Sequence, residues 1–261
     1  MKNKISTTKK NITAYLALCF LITYITWGSI AVYSQLYNVN FTEYAWMYVL
    51  YIIGVLSPAI SATIIQCKLN HYTLKQNISY IFKKPNNKID WFICLLLSFL
   101  FSFLPYIFMG GEKLGSIINI FISIPMFFII GGLEEVGWRG FLLENILSNT
   151  KNSKFLSVLT IGCIWELWHL PLFFMVGTYQ EQYLSFGIHT LWTIATSFIL
   201  GAIYIRSHST IVCILSHCII NSVTTVFIVN VSWYEAIIKL IVCMLVFIIL
   251  VYCKPKNSRQ K

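Results

Sequence analysis

Charged residues are scarce in this sequence. Only 11% of its 261 residues are Asp, Glu, Lys or Arg, whereas 57% are apolar. A soluble domain carries about 25% charged residues, so this chain cannot cover a globule of its size with polar surface. The composition excludes a soluble enzyme, a disordered chain and a secreted disulfide scaffold, and it predicts an integral membrane protein.

Several catalytic signatures are absent as well. No His-Glu-x-x-His sequence occurs, which excludes the zincin form of intramembrane metalloprotease. Asp90 is the only aspartate, so a protease with paired aspartates cannot be built. There is no Gly-x-Ser-Gly sequence to supply a rhomboid-like serine nucleophile. The eight cysteines include no Cys-x-x-Cys pair, and we expect them to act as small apolar fillers.

The sequence does have eight long apolar runs. A helix needs about 20 apolar residues to cross a bilayer. The predicted spans are 12–34, 43–66, 90–109, 115–138, 155–176, 185–205, 209–229 and 233–253. The runs are continuous rather than alternating, which argues against a β-barrel. The sequence thus predicts one all-α polytopic membrane domain over 1–261, with about eight spans and its motifs within about 100–229.

The basic residues also fit a membrane protein. Nineteen Lys and Arg stand against nine Asp and Glu, a balance that would suit nucleic acid, but they cluster in alternate gaps between the apolar runs. The clustered residues are Lys2, Lys4, Lys9, Lys10, Lys68, Lys75, Lys83, Lys84, Lys88, Lys151, Lys154, Arg206, Lys254, Lys256, Arg259 and Lys261. This positive-inside pattern predicts that both termini are cytosolic and that the partner is the lipid bilayer, not nucleic acid.

Ionisable residues within spans are rare and indicate function, because each costs about 2.5 kcal/mol or more in lipid. Two sites have simpler interpretations. Glu235 and Lys239 lie four residues apart near the outer end of the last span, so we expect a local pair whose lysine reaches the interface. His189 lies near a span end, and we expect it to be solvated or interfacial.

The fourth predicted span ends in Gly-Gly-Leu-Glu-Glu-Val-Gly-Trp-Arg-Gly, over 131–140. Glu135 and Arg139 are four residues apart, so one helical face can pair them. Adjacent helical residues point about 100° apart, which leaves Glu134 free to face elsewhere. We therefore expect one glutamate in a structural ion pair and the other with an available carboxylate.

Two further spans contribute polar groups of other kinds. The fifth carries His169, and the seventh carries His217 and Asn221, one helical turn apart. A carboxylate shielded from water is a useful general base near neutral pH, and a histidine can carry the proton. A second imidazole and an amide can donate hydrogen bonds to a developing oxyanion. The combination predicts hydrolysis of an amide by an activated water inside the membrane.

Three alternatives stay open on these residues. The polar groups could simply join helices through hydrogen bonds. They could form the polar relay of a transporter, although the sequence has no matching pair of broken spans. Glu134, His169 and His217 could also hold a divalent metal such as zinc. No local ligand spacing favours a metal, so we expect no cofactor.

The same residues resemble a known family. The motifs with this resemblance are Glu134-Glu135-x-x-x-Arg139, Trp165-x-x-x-His169 and His217-x-x-x-Asn221. They are similar to those of the CPBP family, the CAAX-protease and bacteriocin-processing (Abi) membrane endopeptidases. Order and placement on separate spans match over about 100–221. The resemblance implies an eight-helix intramembrane endopeptidase of the glutamate type.

The resemblance also implies a role for each motif residue. Glu134 would be the catalytic carboxylate, His169 would help to activate the water, and His217 and Asn221 would form the oxyanion site. The supporting residues would be Glu135, Arg139, Trp165 and Glu166. Trp165 stands where the family usually has phenylalanine. Glu166 stands where a small residue is more usual, and it either orients His169 or faces a cytosolic water cavity.

The resemblance leaves the substrate broad. It implies peptides or membrane-anchored proteins, such as bacteriocin precursors, cleaved in a bacterial cell membrane. Bacteriocin self-immunity, with or without proteolysis, is the alternative within the same family.

Overall fold

The computed structural model describes residues 2–69, 71–85, 87–149 and 153–253. The helices in chain order are α1 Lys2–Tyr37, α2 Ala45–Leu69, α3 Leu74–Ile81, α4 Lys88–Met109, α5 Ile118–Phe127, α6 Glu144–Asn149, α7 Lys154–His169, α8 Tyr179–Tyr183, α9 Phe186–Ser207, α10 Thr210–Val226 and α11 Trp233–Tyr252. Strands β1 Gly111–Lys113 and β2 Phe227–Val229 pair antiparallel. The predicted all-α membrane bundle is therefore confirmed.

The described helices give six or seven candidate spans rather than eight. Within the described ranges, six helices are long and apolar enough to cross a membrane, or seven if the bent pair Ile118–Gly132 and Val136–Ser148 is one span. The predicted seventh span is α10, which has 17 residues and a length of about 26 Å, less than the hydrocarbon core. The count of eight spans stays a prediction.

The orientation, with both termini in the cytosol, also stays a prediction. Five of the basic residues that support it lie outside the described residues, namely Lys151, Lys254, Lys256, Arg259 and Lys261. The helix α3, in the basic segment between α2 and α4, begins with a capping box between Thr73 and Gln76. Leu74 and Ile78 are exposed on it, as expected for a short helix at the membrane interface.

The fourth predicted span is broken rather than continuous to 138. Helix α5 ends at Phe127. Further along the chain, Ile130 (φ −94°, ψ 87°) and Gly131 (φ 118°, ψ −61°) both have non-helical backbone angles. A side chain rarely tolerates the φ of Gly131, so glycine is needed at this point. A second helical segment, π-helical over Val136–Leu143, follows at a bend of 45° and continues into α6.

Close packing fixes the second half of this broken span against α2. A Cβ placed on Gly137 would stand 2.7 Å from the backbone oxygen of Pro58 and 2.5 Å from the hydroxyl of Tyr15. Trp138 and Arg139 are almost completely buried beside them. The break therefore holds the Glu134–Arg139 segment deep within the bundle, where α7 and α10 also contact it.

The cysteines follow the prediction in part. Five of the eight are buried, as expected for small apolar fillers, namely Cys19, Cys94, Cys213, Cys218 and Cys243. Cys67 is partly buried, and Cys163 and Cys253 are exposed.

Candidate active site

One cavity of about 570 Å³ opens in the bundle beside the break. Glu134, His169, His217 and Asn221 all line it, so the four residues with predicted catalytic roles come together. Much of the remaining wall is aromatic or aliphatic, including Trp27, Tyr51, Phe101, Phe127, Ile130, Leu172, Trp192, Ile220 and Phe227. Contacts between charged groups are stronger beside such a wall than in bulk water.

The two adjacent glutamates have different surroundings. Glu135 is fully buried, and its Oε1 accepts hydrogen bonds from Arg139 Nη1 at 3.0 Å and from His217 Nδ1 at 2.9 Å. Glu134 lines the cavity and accepts a bond from Trp165 Nε1 at 2.9 Å. The expected division between a paired glutamate and an available one is therefore present.

Trp165 contacts four polar side chains at this side of the cavity. Besides donating to Glu134, its ring lies 5.4 Å from the ring of His217, edge to face, and 5.6 Å from the ring of His169. The Arg139 guanidinium lies over the same ring at 4.7 Å. The tryptophan thus holds the glutamate, both histidines and the arginine in fixed relation, and it does so through an N–H that phenylalanine would lack.

The break in the fourth span brings Gly131 against α10. A Cβ on Gly131 would stand 2.6 Å from Asn221 Nδ2 and 3.3 Å from His217 Nε2. Because the Glu135 carboxylate can only accept, its bond places a proton on Nδ1 of His217. Nε2 of His217 and the amide of Asn221 therefore share one side of the cavity, next to the glycine.

His169 lies between this group and a second cluster. Its ring centroid is 5.1 Å from that of His189, and its Nδ1 is 4.0 Å from Glu166 Oε2, longer than a hydrogen bond. Glu166 instead accepts from His189 Nδ1 and Thr193 Oγ1, both at 2.7 Å. Glu166 therefore does not face a cytosolic water cavity: it is 2% exposed and held by α9.

The prediction that His189 is solvated or interfacial is wrong. The side chain is 12% exposed and lines the cavity, because α9 packs against α7 along this stretch. The sequence around a single histidine near the end of an apolar run does not indicate whether its side chain faces the bundle interior or the outside. The spacing of His189 and Thr193, one helical turn apart, is the signal that could have indicated a shared inward face.

The residues that could bind a metal together differ from the trio considered in the sequence analysis. Among the described residues, the donor atoms of Glu166, His169 and His189 lie within 4.8 Å of one another. The trio of Glu134, His169 and His217 does not form such a group. Two histidines and a carboxylate are chemically suited to zinc.

The prediction for Lys239 also needs correction. It does pair with Glu235, at 3.7 Å, but it does not reach the interface. Its side chain is 11% exposed and lines the cavity, with Nζ over the rings of Phe101 at 4.7 Å and Trp192 at 5.2 Å. Helix α11 turns this face toward α9 and α4 rather than toward lipid.

The comparisons with known proteins agree with this site. A family model described as type II CAAX prenyl endopeptidase Rce1-like matches residues 116–223. The chain is also 30% identical over 192 residues to CAAX prenyl protease 2 of Methanococcus maripaludis, covering 68% of each protein. The chain belongs to this Rce1-like, CPBP family. The protein is therefore a multi-pass intramembrane endopeptidase that acts on peptides or proteins in the membrane.

The matched range includes every residue predicted for the site from Glu134 to Asn221. Lys239, which also lines the cavity, and its partner Glu235 lie beyond it. Neither a bacterial source nor the part played by each side chain follows from the comparisons, and those expectations stay predictions.

Proposed function

We propose that this endopeptidase cleaves peptide bonds with a water molecule activated by Glu134 and His169. The observation that supports it most is that Glu134 is the only acid among the described residues lining the cavity, and that His169, His217 and Asn221 line the same cavity. A general base must lie within hydrogen-bond reach of the water that it deprotonates, and a cavity of this size admits both water and substrate.

The proposed reaction runs in two steps. Glu134 takes a proton from the water as the water oxygen bonds to the carbonyl carbon. The π electrons of the carbonyl group move onto the carbonyl oxygen. Asn221 Nδ2 and, when the ring is doubly protonated, Nε2 of His217 donate to that oxyanion. The oxyanion then collapses, the C–N bond breaks, and the proton held by Glu134 passes to the leaving nitrogen, either directly or through His169.

The supporting residues act through position. Glu135 accepts hydrogen bonds from both His217 and Arg139, so the imidazole is held in place beside the cavity. Trp165 orients Glu134 through its N–H. No bond in this scheme requires a metal, and we propose a reaction without one. The Glu166, His169 and His189 cluster is where a metal would bind if this proposal were wrong.

For the substrate, we propose a membrane-associated peptide or protein. The name of the Methanococcus relative specifies prenylated CAAX substrates, in which a lipidated cysteine precedes three C-terminal residues. The apolar cavity suits a lipidated or strongly apolar segment. Bacteriocin self-immunity rests on the resemblance alone, since no contact in the site favours it, and a bacterial cell membrane stays the expected location.

Purified protein in detergent would test the proposal on two probes, an S-farnesylated C-a-a-X peptide and an unlipidated apolar leader peptide. We expect wild-type protein to cleave at least one of them. Glu134→Ala and His169→Ala should lose this activity, while Glu43→Ala, a change at an exposed acid that does not line the cavity, should retain it. Equal cleavage by all four proteins would refute the proposal.

A chelator separates the two water-activating schemes. Activity that survives 1,10-phenanthroline and EDTA supports Glu134 with a free water. Activity that is lost and then restored by added zinc would assign the reaction to a metal at Glu166, His169 and His189.

A further inference from the structure

One lysine stands out in the cavity wall. Of the described residues that line it, Lys239 is the only lysine or arginine. A charged group at membrane depth is costly, and such residues usually mark the route of a substrate or an ion. An ammonium kept within a wall of aromatic and aliphatic side chains therefore calls for a functional explanation.

The contacts of Lys239 hold the ammonium group in place without using its hydrogen-bond donors. The rings of Phe101 and Trp192 face Nζ. Trp192 Nε1 donates to Glu235 Oε2 at 2.5 Å, which fixes the carboxylate beside the amine. The other oxygen, Oε1, is 3.7 Å from Nζ, longer than a hydrogen bond. Glu235 thus offsets the charge, while the N–H donors of Lys239 remain available to an acceptor in the cavity.

The amine shares its cavity with the proposed reaction centre. Trp192 follows His189 by three residues on α9, so the two side chains are neighbours on one helical face. The ring of His189 is in turn 5.1 Å from that of His169. A peptide bound with its cleaved bond at Glu134 and His169 therefore has the ammonium of Lys239 a few residues further along the same cavity.

We propose that Lys239 binds a carboxylate of the peptide substrate and so determines which bond meets Glu134. This inference rests on the proposed function. A charge-assisted hydrogen bond to a carboxylate is strong where water is excluded. The carboxylate is either the C-terminus of the substrate, as at the end of a C-a-a-X sequence, or an acidic side chain. Lys239 is a specificity-determining residue and takes no part in bond breaking.

Binding, measured apart from cleavage, tests this directly. In a Glu134→Gln background, the dissociation constants of three S-farnesylated peptides would be compared: one with a free C-terminus, its C-terminal amide, and a free-acid peptide carrying an acidic side chain. The same series would be run with Lys239→Met added, and with Lys10→Met, a change at an exposed lysine on α1, as the control.

We expect one carboxylate to tighten binding by about 10–100-fold, the range for a hydrogen bond between charged groups. Lys239→Met should reduce this ratio to about one, and Lys10→Met should leave it unchanged. Loss of the terminal-acid preference assigns the C-terminus, and loss of the side-chain preference assigns an acidic residue. An unaltered ratio in Lys239→Met, or no preference for any carboxylate in the starting protein, would overturn the proposal.

Two features keep the test decisive. If Lys239→Met fails to fold because Glu235 is left buried and unpaired, the double variant Glu235→Gln/Lys239→Met removes both charges and takes its place. A wrong catalytic role for Glu134 would change the cleavage results but not the binding ratio. The failure of the proposed function and the failure of this inference are therefore separate outcomes.

Discussion

The two sides of the cavity contrast in how their polar groups are engaged. On one side, the broken span, α7 and α10 bring together Glu134, Glu135, Trp165, His217 and Asn221. On the other, α7, α9 and α11 bring together Glu166, His189, Thr193, Trp192 and Lys239. Both sides contain a fully buried carboxylate with several donors, Glu135 and Glu166, yet the first alone adds an acid that lines the cavity.

The contrast teaches that burial does not identify the reactive group. Glu135 and Glu166 are both more buried than Glu134, and each accepts hydrogen bonds from at least two side chains. Glu134 is next to Glu135 in the chain but accepts from one tryptophan and faces the cavity. We therefore expect changes on the first side to divide into structural and catalytic effects, and changes on the second to act mainly on binding.

The largest expected effect on stability comes from Glu135. Glu135→Ala leaves Arg139 buried without its partner, and breaking a buried pair in this way costs about 3–5 kcal/mol. Unfolding in detergent, followed by tryptophan fluorescence, would measure the loss. Glu134→Gln is the matched control, since it removes no ion pair, and an equal loss in both would erase the distinction between the two glutamates.

Asn221 should follow in size, with an effect on rate. Removing one donor from an oxyanion site lowers kcat by about 10²–10³-fold, so we expect this range for Asn221→Ala with little change in unfolding. Thr225→Val alters another polar residue of α10 in the cavity wall and should retain nearly full activity. A rate loss shared by both variants would indicate disturbed packing rather than a lost donor.

Trp165 should show a smaller effect. Trp165→Phe keeps an aromatic ring, the residue type that the motif usually has, but removes the bond to Glu134. A hydrogen bond to a charged group is worth about 1.5–3 kcal/mol, and we expect a loss near the lower end, about tenfold in kcat/KM. Trp165→Leu should lose more, because the ring contacts go as well. Identical activity in wild type and both variants would refute the orienting role.

The smallest effect is expected for Glu166. Its oxygen is 4.0 Å from His169 Nδ1, too far for a hydrogen bond, so Glu166→Gln should cost only a few-fold in kcat and leave chelator resistance intact. Steady-state rates with and without EDTA would measure it. Two results together would assign the chemistry to the second side: complete loss of activity in Glu166→Gln, and rescue by zinc of wild-type protein that EDTA has inactivated.

Part of this arrangement is readable from the sequence. Apolar runs predict the helices, because only a helix satisfies its own backbone in lipid. The four-residue spacing predicts the Glu135–Arg139 pair, which is present. The three motifs predict that Glu134, His169, His217 and Asn221 line one cavity, as they do.

The rest depends on information that the sequence does not express. Lipid and the bundle interior are both apolar, so periodicity does not fix how a helix such as α11 is rotated, and Lys239 was expected at the interface. The same holds for His189 on α9. The break at Gly131 depends on tertiary contacts with α10, and the Gly-Gly pair alone does not specify a φ of 118°.

One measurement tests the central claim most directly: cleavage of a single peptide substrate by Glu134→Gln beside Glu43→Gln, in preparations that elute and unfold alike. With Glu134 as the base that activates water, kcat should fall by about 10²–10⁴-fold in Glu134→Gln and stay at the wild-type level in Glu43→Gln. Wild-type turnover by folded Glu134→Gln would contradict the account.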